Sequence, residues 1–233
     1  MSDKHGHKSD QHQHHTLQYT ALGDSIAFGV GGTDHYGYVN YFRDFLATVC
    51  HRVNLTNRAV PGFTSTDLLH QLQQDSTARQ AIKKANLITI SIGGGNLFNC
   101  LATPTPACFE NGVLTFVEDW PRILKEIRKS IRSRAKILVM TVYNPLKCDD
   151  PNYNSIDFFI QQINQVIKKR ENRSKYQYKV VNVHRDFRGT FTDGRCKVCT
   201  WTHFCELPPN VHPTDAGHLE IARLHELKFL KHC

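Results

Sequence analysis

The chain has 233 residues, of which 40% are hydrophobic and 21% charged, with a formal net charge of +8. That balance suits one globular domain with ample core, and no apolar run reaches the roughly 18 residues that span a bilayer. The opening MSDKHGHKSDQHQHH has no apolar centre of the kind a secretory signal carries.

Residues 1–16 hold five of the fourteen histidines and almost nothing apolar, which reads as a disordered His-rich tail. Residues 17–233 read as one domain in which strands and helices alternate. LQYTALG is a buried strand and YVNYFRDFLATVC an amphipathic helix. VNLTNRAV is a second strand, followed by a helix from STDLLHQL with Ser65 or Thr66 as N-cap. NLITISIG is continuous and β-branched, as a strand covered on both faces should be. WPRILKEIRKSIRSR is helical, with Ile123, Ile127 and Ile131 as its apolar stripe, and AKILVMTVYNP is a fourth strand ended by proline. SIDFFIQQINQVIKKR is helical, KVVNVHRDF is a fifth strand, and DAGHLEIARLHELKFL closes the chain as a helix. Such alternation predicts an α/β fold with a five-stranded parallel sheet covered on both sides. Right-handed crossovers then bring every strand's C-terminal end to one edge, where ligands bind.

The basic residues concentrate in PRILKEIRKSIRSRAK and KKRENRSKYQYK. Both read as solvated helix faces, and no nucleic-acid motif accompanies them. Peripheral contact with an anionic membrane surface is the charged partnership that this excess allows. There are eight cysteines. Cys100 and Cys108 bracket CLATPTPAC, a loop a disulfide could staple. Cys196, Cys199, His203 and Cys205 are compatible with a tetrahedral zinc site, although a matching second half is missing. Disulfides would place the chain in an oxidising setting, secreted or at a spore or cell surface. The missing signal points instead to the cell interior.

Three loop motifs meet at the sheet's C-terminal edge: Gly23-Asp24-Ser25, Pro61-Gly62 and Gly93 to Asn96. Capping of the next helix explains the first and leaves the other two unexplained. A serine hydroxyl is a poor nucleophile until a base takes its proton, and VHPTDAGH offers His212 at the same edge. The N–H groups of Ser25 and Gly62 and the amide of Asn96 are candidate donors for an oxyanion. The bland readings are a helix cap at Asp24 or Ser25 and an ordinary loop histidine at His212.

In this order and spacing, GDSIAFG, AVPGFTSTDLL, SIGGGNLF and NVHPTDAGH resemble the sequence blocks of the SGNH (GDSL) hydrolase family, from about Leu17 to the C-terminus. The resemblance implies a flavodoxin-like three-layer α/β/α sandwich with sheet order 2-1-3-4-5. It implies Ser25 as nucleophile, His212 as general base, and Ser25, Gly62 and Asn96 as the oxyanion hole. By analogy with disulfide-bearing secreted lipases of the family, Cys100 pairs with Cys108, and Cys148 with one of Cys196, Cys199 or Cys205.

Two departures stand out. The family's third block reads Gly-x-Asn-Asp. Either Asn96 takes the asparagine's place and Leu97 the aspartate's, or Gly95 and Asn96 do. The first keeps a side-chain donor and is preferred; the second leaves the hole a donor short. The family's aspartate three residues before the histidine is replaced by Pro209, so the backbone carbonyl of Pro209 is the candidate that orients His212, with Glu206 and Asp186 as alternatives. The implied activity is that of a lipase or esterase acting on a small-molecule or lipid ester, with carbohydrate acetylesterase as the runner-up and no cofactor or catalytic metal. A non-catalytic metal-binding or surface protein on a decayed scaffold is the competing class. Phe28, Phe63, Leu97 and Phe98 are candidate acyl-site walls.

Overall fold

The computed structural model describes residues 16–230 apart from 51 and 103, so the His-rich tail lies outside the described residues. Five strands, β1 (Leu17–Gly23), β2 (Val53–Asn57), β3 (Leu87–Ser91), β4 (Lys136–Met140) and β5 (Tyr178–Val181), form one parallel sheet in the order β2-β1-β3-β4-β5. The helices are α1 (Ser25–Phe28), α2 (Tyr38–Cys50), α3 (Ser65–Gln74), α4 (Ser76–Lys84), α5 (Gly94–Phe98), α6 (Pro106–Lys125), α7 (Tyr153–Lys168), α8 (Arg170–Tyr176), α9 (Val183–Phe187), α10 (Lys197–Trp201) and α11 (Asp215–Leu230).

Strand residues point alternately to the two faces, so each face collects its own core. Tyr19, Ala21, Leu87, Leu138 and Met140 pack against Phe42 and Leu46 of α2 and Ile221 and Phe229 of α11. Leu22, Ile88, Ile90, Ile137 and Val139 pack against α3, α6 and α7 through Leu68, Trp120 and Ile160. Three layers result, in the expected flavodoxin-like order.

Several local expectations shift. The α3 cap is Thr64, whose side chain accepts from the Asp67 N–H while Asp67 accepts from the Thr64 N–H. The helix read from Trp120 begins at Pro106, capped by Thr105, and runs through Pro121 into a π-helical turn over Glu126–Ser130. The fifth strand stops at Val181, and VHRDF is the short helix α9.

Among the described residues three disulfides form: Cys100–Cys108, Cys148–Cys196 and Cys199–Cys205. They overturn the zinc reading of the cysteine cluster, because all three of its sulfurs are covalently spent. His203 in turn bonds Gly31 and Glu206. No helix of the described residues is long and apolar enough to cross a membrane.

Candidate active site

β1 ends at Gly23, whose φ is +125° and where a Cβ would stand 1.7 Å from the Ser91 carbonyl oxygen. Only glycine lets β1 lie that close to the end of β3 while turning into α1. Asp24 then serves as the cap: its Oδ1 accepts from the Ile26 N–H at 3.1 Å and the Ser91 hydroxyl at 2.8 Å. Burial raises its pKa to about 7. With Asp24 occupied in this way, Ser25 faces the cleft. The capping and presentation readings of Gly-Asp-Ser are both satisfied, by different residues.

His212 meets it from the far end of the chain. Its Nε2 lies 2.8 Å from Ser25 Oγ, across a sequence separation of 187. Its Nδ1 lies 2.6 Å from Asn210 Oδ1, and that same oxygen accepts the His212 backbone N–H at 3.0 Å. An oxygen that already accepts an N–H is the amide's carbonyl end, so Nδ1 carries the proton and Nε2 presents a lone pair to the serine. The orienting group is therefore the Asn210 side chain rather than the Pro209 carbonyl. Sequence reasoning missed it, although Asn two residues before a backbone N–H is the signature of an Asx turn.

The loop bearing His212 is tied down on several sides. Its carbonyl accepts from the His203 N–H at 3.0 Å, and Tyr143 donates its hydroxyl to the Val211 carbonyl at 2.7 Å. Glu206 bonds His203 rather than His212, and Asp186 pairs with Arg185 away from the cleft. Both nitrogens of His203 face acceptors, the Gly31 carbonyl and the Glu206 carboxylate, each at 2.9 Å. Partial burial pulls the His203 pKa down, but these two acceptors more than offset it and raise it above the ordinary histidine value. Burial, helped by the charge of His203, lowers the pKa of His212. At neutral pH His212 is thus the neutral base form.

Asn96 is not at the cleft. It is buried: its Oδ1 accepts from the Ser65 N–H at 2.9 Å, and its Nδ2 donates to Ser65 Oγ at 2.9 Å and toward the Gly112 carbonyl at 3.4 Å. Ser65 Oγ donates in turn to Asp119 Oδ2 at 3.0 Å. This network ties α3, α5 and α6 together and uses up the amide. Gly95 lines the cleft instead, and a Cβ there would meet the Phe63 carbonyl oxygen at 2.5 Å. The second alignment of the block is the one the structure adopts, and the preferred placement of Asn96 among the oxyanion donors is corrected accordingly. Gly62 has φ +86° with open space beside it, so its backbone geometry is what demands glycine. Among the described residues no backbone hydrogen bond engages the N–H of Ser25 or of Gly62.

The cleft has a volume of about 930 Å³. Phe63, Phe98, Leu101, Phe204 and Leu207 supply apolar walls around Ser25 and His212. Phe28 is exposed beside it against His35, whereas Leu97 is wholly buried in the core and lines nothing. A hydroxyl hydrogen-bonded to a neutral, oriented imidazole, beside unengaged backbone donors, is equipped for acyl transfer.

Comparison with known proteins identifies the family. Residues 21–219 match the GDSL-like Lipase/Acylhydrolase family. The spore germination lipase LipC of Bacillus licheniformis is 30% identical over 75% of this chain and 83% of its own length. The uncharacterized protein YpmR of Bacillus subtilis is 26% identical over 93% of this chain and 84% of its own. Among solved structures, the lipase Lip_vut3 from a goat rumen metagenome shares the fold with a TM-score of 0.71 at 24% identity, covering 91% of this chain and 96% of that one. An acetyl xylan esterase from Geobacillus stearothermophilus does so with a TM-score of 0.63 at 19% identity, covering 90% and 93%. The chain belongs to the GDSL-like lipase/acylhydrolase family and is an esterase or lipase.

Proposed function

We propose that the chain is a serine carboxylic-ester hydrolase acting on lipidic or short-to-medium acyl esters through an acyl-enzyme on Ser25. The observation that carries the reading is the 2.8 Å contact between Ser25 Oγ and the His212 Nε2 lone pair. As Oγ bonds to the ester carbonyl carbon, its proton passes to Nε2. The tetrahedral intermediate then expels the alkoxide, which takes that proton and leaves as alcohol. Water repeats the sequence on the acyl-enzyme, releasing the acid and restoring Ser25.

The backbone N–H groups of Ser25 and Gly62 receive the oxyanion. With Asn96 engaged elsewhere its amide is lost to the hole, and one such donor is typically worth about 3 kcal/mol. Turnover is correspondingly modest. Asn210 holds the productive tautomer without contributing a charge, so the site works as a Ser-His pair with a neutral orienter.

The apolar walls favour lipidic esters over acetylated sugars, and the similarity to a spore germination lipase points the same way. Hydrolysis of p-nitrophenyl butyrate by the wild type and by Ser25→Ala tests the reading. Ser25→Ala should lose at least about a thousandfold in kcat. Equal rates remove Ser25 from the chemistry.

A further inference from the structure

A second pocket borders the catalytic cleft. Its volume is about 300 Å³, and its floor is the buried Phe109, Leu146 and Ile156, with Phe109 stacked on Phe159 at a centroid distance of 5.2 Å. Apolar space of roughly half that volume already suffices to stay dry and take up a small hydrocarbon. The rim on the solvent side is polar, formed in part by Thr105 and Ser155.

Leu101 lines both this pocket and the cleft holding Ser25. It stands in the turn Asn99–Ala102, and its neighbour Cys100 is bonded to Cys108 in the first turn of α6. The disulfide fixes the turn from behind, so Leu101 is a positioned partition between two apolar spaces.

We propose that the second pocket receives the distal end of an acyl chain whose carbonyl lies at Ser25, and that Leu101 sets the chain length that crosses into it. This inference rests on the Ser25 ester-hydrolase reading. A chain that stops in the cleft gains nothing from the pocket. One long enough to pass Leu101 gains about fourfold in kcat/KM for each methylene that leaves water. The substrate class that follows is a medium- to long-chain fatty acyl ester.

The test compares kcat/KM for p-nitrophenyl dodecanoate and butyrate in the wild type, Ser155→Trp and Leu101→Ala. Ser155 is exposed on α7, so a tryptophan there fills the pocket from its mouth. The dodecanoate-to-butyrate ratio should exceed one in the wild type and fall at least about tenfold in Ser155→Trp, equivalent to two methylenes denied the pocket. Leu101→Ala should move the preferred chain to greater length. A ratio identical in all three proteins overturns the inference and leaves the Ser25 chemistry standing. If the wild type hydrolyses neither ester, the Ser25 reading fails, and laurate binding decides the pocket separately. Laurate should raise the Tm of Ser25→Ala but not of the Ser25→Ala, Ser155→Trp double variant; an equal rise in both overturns it.

Discussion

Asn210→Asp is the substitution that most directly tests how His212 is oriented. It keeps an acceptor oxygen at the position now 2.6 Å from Nδ1 and adds a unit negative charge there. Two opposite charges about 4 Å apart interact by about 4 kcal/mol at the effective dielectric of a protein surface. Asn210 is exposed, so water screens much of this, leaving a rise of about 1–2 units in the pKa of His212. The sign is fixed: a carboxylate favours the imidazolium, and the imidazolium cannot take the serine proton. The acidic limb of the kcat/KM profile for p-nitrophenyl butyrate should therefore move to higher pH by about 1–2 units. In the wild type the limb lies below the ordinary histidine value, because burial lowers the pKa of His212. Above the new limb the stronger base should hold or raise the rate. A limb that stays in place would refute the Nδ1–Asn210 contact as the orienting one.

His218 and His225 are buried, and burial lowers each from 6.5 to about 4. Between those values the unfolded chain binds protons that the folded chain refuses, so stability falls as pH drops. Asp24, raised by burial to about 7, works in the opposite sense and offsets one of the two. The net loss by pH 4 is roughly 3 kcal/mol, read as a lower urea midpoint; an unchanged midpoint refutes it. The Cys148–Cys196 bond closes a loop with a sequence separation of 48. Replacing both cysteines by serine should cost about 4 kcal/mol, a fall in Tm on the order of 10 °C, and a difference near zero in calorimetry would contradict this.

The sheet was legible because its signal is local and repeated: a strand such as LITIS, buried throughout, cannot be disguised. The meeting of Ser25, Gly62 and His212 at one cleft was legible because each stands next to a strand end or helix start that the pattern also marks. Asn96 misled. Its task is decided by Ser65 and Gly112, 31 and 16 residues away, and those partners become visible only when α3 and α6 pack onto α5. A Cβ on Gly112 would meet the Asn96 carbonyl oxygen at 2.0 Å, so the packing needs that glycine too. Asn210 was not legible for a different reason: the family's acid position falls on Pro209, one residue short of the asparagine whose Asx turn reaches both the His212 N–H and Nδ1. The valine-rich VVNV similarly hid the change from strand to α9, because β-branched residues satisfy a buried helix turn as readily as a strand end.

The Ser25 loop and the His212 loop are fastened to each other as well as to the sheet. Thr33 gives both its N–H and its hydroxyl to Asp215, at 2.7 and 2.6 Å. His218 on α11 accepts from the Tyr38 N–H and donates to the Val30 carbonyl, and His203 reaches Gly31. The first and last thirds of the polypeptide thus form a buckle over Ser25 and His212. Because these bonds end on α2 and α11 themselves, a displacement of either helix pulls directly on the two loops, which couples the register of hydroxyl and imidazole to the packing of that whole layer.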